Sequence, residues 1–294
     1  MNVTGSTPMI AIDEDCRIWA KLETHNRTGS VKDRMIEYIC DLAVATNLIE
    51  PGETTLVEAT SGNTGISLAS YAASMNCKCT IIMPENMSKQ RKDMMRAFGA
   101  EIIETGFNEF LKAIEIRNKM IFNYDTDGYR SFKNGFFSPL QFENKYNIQC
   151  HERVTAPEIH SQIIENNLGA WDVFIHGSGT GGTMMGVKKY IDNNKLNVKC
   201  FLTEPMESNS EHGIQGINDG KDFLLDKNII DGTIRIKTSD AILRMKKFWK
   251  DTGILVGISS GANILAAERY LDMYDPDGIV LTILCDRGER YFDC

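Results

Sequence analysis

No stretch of the 294 residues approaches the roughly 18 consecutive apolar positions that a membrane-spanning helix requires. The longest candidate, residues 254–267, is broken by serines, glycines and an asparagine. Paired metal-ligand spacing is missing too. The eight cysteines include no C-x-x-C, and the five histidines (25, 151, 160, 176 and 212) form neither an i, i+4 pair nor H-E-x-x-H. That excludes the common zinc frameworks, and scattered thiols such as Cys77 and Cys79 read as small buried hydrophobes of a reduced, intracellular chain. Positive charge is in deficit, with 32 Lys and Arg against 40 Asp and Glu, so neither a nucleic acid nor an anionic membrane is an expected partner. Seven prolines and 24 glycines are too few for a fibrous chain. Residues 1–8 hold neither a basic cluster nor an apolar core, so no signal peptide is expected and the expected address is cytoplasmic.

Short β-branched apolar runs alternate with segments of helical periodicity. That pattern predicts an α/β protein with a mostly parallel sheet. Strands are expected at 17–22, 54–58, 80–83, 101–104, 172–176, 198–203 and 279–284. Helices are expected at 64–75, 88–98, 108–122, 183–192, 239–250 and 261–274, and one after Ser30, whose spacing to Asp33 fits a capping box. Residues 123–147 read as a looser segment, with the second block opening near Pro157. Length and pattern together predict two α/β lobes with a cleft between them.

Three turns concentrate Gly, Ser, Thr and Asn: Thr60-Ser-Gly-Asn-Thr-Gly65, Gly177-Ser-Gly-Thr-Gly-Gly-Thr183 and Gly257-Ile-Ser-Ser-Gly261. Each frees backbone N–H groups where a helix begins, the positive end of its dipole, and so suits an anion. A single such turn is no more than a tight connection. Three of them suggest a ligand with at least two anionic or strongly polar ends, and Thr180 and Thr183 add hydroxyl donors suited to phosphate. The middle turn also satisfies G-x-G-x-x-G at Gly177, Gly179 and Gly182, with Glu204 near the end of the next strand. Taken alone it is equally a dinucleotide turn of a nicotinamide enzyme.

Lys32 tips the balance. It precedes Asp33 in the first turn of an expected helix, where the dipole disfavours an ammonium and eases access to the free amine. An arbitrary lysine is a solvated surface group. This one follows Thr28-Gly-Ser30 in a chain with three anion-ready turns, and its amine suits a Schiff base with an aldehyde cofactor.

The segments Lys21-Leu-Glu, Asn26-Arg-Thr-Gly-Ser-Val-Lys-Asp-Arg34, Glu58-Ala-Thr-Ser-Gly-Asn-Thr-Gly65, Gly177-Ser-Gly-Thr-Gly-Gly-Thr183, Gly213-Ile-Gln-Gly216 and Gly257-Ile-Ser-Ser-Gly-Ala262 resemble the signatures of the cysteine synthase/cystathionine β-synthase family. They run in family order from Thr4-Gly-Ser-Thr-Pro8 to Asp286-Arg-Gly-Glu-Arg-Tyr291, across nearly the whole chain. The resemblance implies a fold-type-II, tryptophan-synthase-β-like α/β fold of two domains, with twisted, mostly parallel sheets and helices on both faces. Residues 1–34 and 138–294 would form the large cofactor domain, and 35–137 a smaller mobile domain carrying the substrate-carboxylate loop.

It further implies pyridoxal 5'-phosphate as cofactor. Lys32 would hold the aldehyde as an internal aldimine and then serve as base and acid. Asn63 would bond the ring hydroxyl, Gly179, Thr180, Gly181, Gly182 and Thr183 would cradle the phosphate, and Ser259 would face the pyridine nitrogen. Thr60, Ser61, Gly62, Thr64 and Gln141 would bind the substrate carboxylate, with Gly216 also at the substrate. A hydroxyl beside the pyridine nitrogen mutes carbanion delocalisation and favours loss of a β-substituent, giving an aminoacrylate that sulfide or a thiol attacks. The implied reaction makes L-cysteine from O-acetyl-L-serine and sulfide, in a homodimer. Homocysteine as acceptor, O-phosphoserine as donor, cysteine desulfhydration, and a non-catalytic sensor on the same fold are the alternatives. The chain departs from the family pattern at Arg27, Ala59, residues 144–147 and Cys285, each near or at a usual proline.

Overall fold

The computed structural model describes residues 3–124, 126, 130–208, 213–217, 222–274, 276 and 278–292. His212 and Cys294, counted above, lie outside them. The chain divides into two compact units, Met1–Val31 with Lys145–Cys294, and Lys32–Asn144. The breaks put Lys32 and Gln141 in the second unit, whereas the expected boundaries assigned both to the larger domain.

Two strands open the first unit, β1 (Met9–Ala11) and β2 (Ile18–Leu22). The chain then builds the second unit in one pass: α1 (Lys32–Ala45), β3 (Thr55–Ala59), α2 (Asn63–Ser74), β4 (Lys78–Pro84), α3 (Lys89–Ala97), β5 (Glu101–Thr105), α4 (Phe110–Ile121), and the short strands β6 (Phe122–Tyr124), β7 (Arg130–Phe132) and β8 (Phe136–Phe137). Returning to the first unit it forms α5 (Tyr146–Cys150), α6 (Ala156–Glu165), β9 (Trp171–Gly177), α7 (Gly182–Asn193), β10 (Lys199–Pro205), β11 (Gly232–Ile236), α8 (Thr238–Thr252), α9 (Ile258–Tyr274) and β12 (Ile279–Leu284).

In the second unit, β5-β4-β3-β8 form an all-parallel sheet. Successive residues of a strand face opposite sides, so a sheet covered on both faces needs apolar residues at consecutive positions. Leu56 and Ile81 pack with α1 and α2 residues such as Met35, Ile39 and Leu68, while their neighbours Val57 and Ile82 pack with Ala113 and Ile121 of α4.

In the first unit the sheet order is β1-β2-β12-β9-β10-β11. Only the β1–β2 pair is antiparallel. Val173, Ile175 and Val280 join a core with Met245, Phe248 and Ile264 of α8 and α9. Phe174, Leu202 and Leu281 join Ile159, Met184 and Val187 of α6 and α7 on the other face. Buried Lys21 of β2 links sheet to helix, its Nζ lying 2.6 Å from Glu158 of α6 and donating to the Thr7 carbonyl at 2.8 Å.

Several boundaries differ from the sequence expectation. The segment 123–147 holds the end of β6 together with β7 and β8. The second block, expected to open near Pro157, is preceded by helix from Tyr146, because α5 and α6 join through a wider-wound turn over His151–Thr155. Helix α9 starts at Ile258, so Ser259 and Gly261 lie inside its first turn rather than in a connection.

Candidate functional site

In the second unit, the turn after β3 leads into α2. Thr60 anchors it: its N–H donates to the Ile82 carbonyl at 3.1 Å and its Oγ1 accepts from the Gly62 N–H at 3.2 Å. Ser61 is exposed, Asn63 is half-buried as the first residue of α2, and Thr64 is buried. Thr64 Oγ1 donates to Gln141 Oε1 at 2.6 Å, so two of the expected site residues, 77 positions apart in the sequence, meet in the structure. Arg91 of α3 is also at this turn. A Cβ on Gly62 would lie 3.0 Å from its Nε, so a buried guanidinium accompanies the loop, a residue that sequence patterning did not single out.

Lys32 is the half-buried first residue of α1, with buried Asp33 beside it. The four residues before it belong to the first unit and are held there by the segment after β12. Val31 N–H donates to the Cys285 carbonyl at 2.9 Å, Ser30 bridges to Asp286, and Arg287 N–H donates to the Gly29 carbonyl at 3.1 Å. Arg290 donates to the carbonyls of Thr28 and Gly29. The motif at 286–291 therefore fixes the approach to Lys32. Ser259 is buried in the first turn of α9, whose start is tied to the same support: Gly257 N–H donates to the Asp286 carbonyl at 3.0 Å and Ser260 Oγ accepts from Cys285 N–H at 2.9 Å.

The turn between β9 and α7 is the most developed feature of the first unit. Gly181 has φ +91°, the left-handed region that glycine tolerates, and a Cβ there would lie 2.5 Å from Leu225 N. Gly179 packs so closely on Gly216 that its Cβ would lie 2.5 Å from the Gly216 carbonyl oxygen, which joins two residues expected at the site. Gly177 N–H donates to Asn263 Oδ1 of α9 at 2.9 Å. Thr180 Oγ1 accepts from Asn147 Nδ2 at 3.0 Å and from Gly182 N–H at 3.3 Å. Thr183 Oγ1 lies 3.2 Å from His151 Nε2. Asn147, His151 and Ser178 were not singled out as site residues from the sequence.

Ser178 supplies the strongest sign of a ligand. Its residue is 6% exposed, and its Oγ is buried with no hydrogen-bond partner among the described residues. A buried hydroxyl left unpaired costs about 1–3 kcal/mol, which an incoming acceptor would relieve. With the N-terminus of the 12-residue α7 behind it and hydroxyls at 178, 180 and 183, the turn fits a phosphate group. Glu204, which a dinucleotide reading needs at a ribose, is instead 3.0 Å from Lys227 Nζ.

Comparison with known proteins identifies relatives of the whole chain. The family model described as pyridoxal-phosphate dependent enzyme matches residues 2–286. A cysteine synthase of Staphylococcus aureus is 34% identical across 98% of this chain and 93% of its own length. Among solved structures, the O-acetylserine dependent cystathionine β-synthase of Helicobacter pylori has a TM-score of 0.87 at 31% identity, covering 99% of this chain and 96% of its own. A hydrogen sulfide-producing enzyme of Fusobacterium nucleatum has a TM-score of 0.84 at 33% identity, covering 99% and 98%.

Proposed function

The chain belongs to the cysteine synthase/cystathionine β-synthase family of pyridoxal-phosphate dependent enzymes, and from that premise we propose that it converts O-acetyl-L-serine and sulfide to L-cysteine and acetate. At the β-carbon a C–O bond breaks, acetate leaving with the electron pair, and a C–S bond forms from the sulfide lone pair. The observation that carries the reading is the hydroxyl-lined turn 177–183, whose Ser178 hydroxyl has no partner among the described residues, in a chain whose α1 begins at Lys32.

Pyridoxal phosphate, when bound, supplies an electron-accepting ring that acidifies the α-proton of an attached amino acid. Gly179, Thr180, Gly181, Gly182 and Thr183 would hold its phosphate by backbone N–H groups and hydroxyls. Asn63 would bond the ring hydroxyl. Ser259 would meet the pyridine nitrogen with a neutral hydroxyl, unable to hold that nitrogen protonated as a carboxylate can. Lys32 would anchor the aldehyde carbon through Nζ and, once displaced, carry the α-proton on the same atom. Thr60, Ser61, Gly62, Thr64 and Gln141 would orient the substrate carboxylate, with Gly216 lining the substrate side. Homodimer assembly, a mobile second unit and a cytoplasmic address belong to the same reading.

The 31% identity to an O-acetylserine dependent cystathionine β-synthase favours one second reading, homocysteine in place of sulfide. Cofactor-loaded protein given O-acetylserine should change its visible absorbance and release acetate, and sulfide should then yield cysteine faster than homocysteine yields cystathionine. Faster cystathionine formation selects the second reading. No spectral change and no acetate with either acceptor, with O-phosphoserine equally inert, defeats both. Borohydride reduction followed by peptide mapping should put the pyridoxyl label on Lys32, and a label elsewhere removes its proposed role.

A further inference from the structure

Asn147, His151 and Thr155 recur every fourth residue along the continuous helix from α5 to α6, and all three are buried. That spacing puts them on one helical face. Gly186 lets this helix approach α7: a Cβ there would lie 2.5 Å from His151 Cβ. The wider-wound turn starts at His151 itself, and such turns interrupt α-helices frequently at functional sites. His151 Nδ1 lies 2.9 Å from Thr155 Oγ1, and Nε2 lies 3.2 Å from Thr183 Oγ1.

A neutral imidazole has one N–H and one bare nitrogen, and a threonine hydroxyl has one hydrogen. If Nε2 is bare, its bond to Thr183 consumes the Thr183 hydrogen. If Nε2 carries the proton, Thr183 accepts from it and keeps its own hydrogen to donate elsewhere. Only the second arrangement suits a phosphate oxygen, which can accept but has nothing to give. The neighbouring threonine follows the same logic. Thr180 Oγ1 already accepts from Asn147 Nδ2 and Gly182 N–H, so its remaining hydrogen also faces outward duty as a donor.

We propose that His151 is a positioning residue for the cofactor phosphate: as an Nε2–H donor to Thr183, with Nδ1 accepting from Thr155, it turns the Thr183 hydroxyl into a committed donor. This rests on the reading of turn 177–183 as the phosphate site.

The test is a double-mutant cycle on pyridoxal phosphate affinity, measured by cofactor titration of the apo-protein for the parent, T183V, H151N, H151Q and H151N/T183V. Asparagine keeps an amide near Thr155 but does not reach Thr183, whereas glutamine can return an N–H near the Nε2 position. A hydrogen bond to a charged group is worth enough that T183V and H151N should each weaken binding about tenfold or more. Because His151 acts through Thr183, the double variant should bind no more weakly than T183V, and H151Q should stay within about threefold of the parent. Additive losses overturn the inference and leave the phosphate reading standing. A T183V variant that binds as tightly as the parent removes the phosphate reading and the inference with it. Imidazole 15N NMR of the labelled parent holoenzyme gives a readout that does not rest on affinity: a protonated Nε2 at the His151 signal, assigned through its bonded neighbours in the parent, supports the assignment, and a bare Nε2 overturns it.

Discussion

Arg117 Nη1 and Glu58 Oε1 meet at 2.9 Å with side chains 1% and 0% exposed. This pair sits at the base of the turn that follows β3. Glu58 Oε2 accepts from the Gln141 N–H at 3.2 Å, Gln141 Nε2 donates to the Ala59 carbonyl at 3.4 Å, and Arg117 also reaches Glu143 at 3.3 Å. Ala59 adds a further bond, its N–H donating to Glu58 Oε1 at 2.9 Å, which a proline at this position could not make. Breaking a buried ion pair from one side leaves the partner charge uncompensated. Arg117→Ala should therefore lower stability by about 3–5 kcal/mol, read as a lower urea midpoint. A midpoint within experimental error of the parent would mean Glu58 is not held by Arg117.

Thr64→Val removes the hydroxyl that donates to Gln141 Oε1 at 2.6 Å, while the volume barely changes. Gln141 would then lose the contact that fixes its amide beside the turn. Steady-state kinetics should show KM for the amino-acid donor raised about 5- to 10-fold, the worth of roughly one hydrogen bond, with the unfolding midpoint also lowered, since loss of a buried hydrogen bond costs about 0.5–1.5 kcal/mol. An unchanged KM would separate Gln141 from substrate binding.

Gly181→Ala meets both a left-handed backbone and the Leu225 amide nitrogen, 2.5 Å from the new methyl. Strain of that kind costs on the order of 1–3 kcal/mol. The variant should lose stability by about that much and bind pyridoxal phosphate more weakly, seen by thermal denaturation with and without cofactor. A cofactor-induced rise in Tm equal to the parent's would contradict the assignment of this turn.

The thiols should fall into distinct reactivity classes. Burial pushes the Cys79 and Cys200 thiols up to about 12 and raises Cys40 well above its ordinary value. A group raised in this way binds its proton more tightly in the folded state, so near pH 8 these three hold almost no thiolate, the reactive form. Cys16 is exposed. Iodoacetamide followed by mass spectrometry should modify Cys16 first and leave Cys40, Cys79 and Cys200 unlabelled until denaturant is added. Labelling of Cys200 in the native protein would show that the core opens there.

Much of the framework was legible because the strands are buried on both faces. Residues 279–284 form a strand with the expected bounds, since six consecutive apolar or β-branched residues leave few alternatives. Lys32 falls in a first helical turn, as its spacing to Met35, Ile36 and Ile39 implied. The helix from Tyr146 was not legible. Its inward face carries Asn147, His151 and Thr155 where a periodicity search wants apolar side chains, because there it serves hydrogen bonds rather than the core. The recurrence of those polar residues every fourth position, flanked by Ile148, Ala156 and Ile159, was the available signal. β11 also escaped notice, since only Ile234 and Ile236 are buried and a single-sided edge strand is a weak pattern. Ser178 did not stand out as a candidate ligand contact because a serine in a glycine turn has many explanations until its burial is known.

The place of β12 in its sheet governs how the molecule can be made. Residues 279–284 lie between β2 and β9, pairing with strands synthesised long before them. The stretch 32–144 is contiguous in sequence and forms its own compact unit, whereas β2 and β9 have the edges between them unpaired until residues 279–284 arrive. Closing so distant a pairing is slow. The sheet edge that most needs chaperone shielding during synthesis is therefore the one that ends up at its centre.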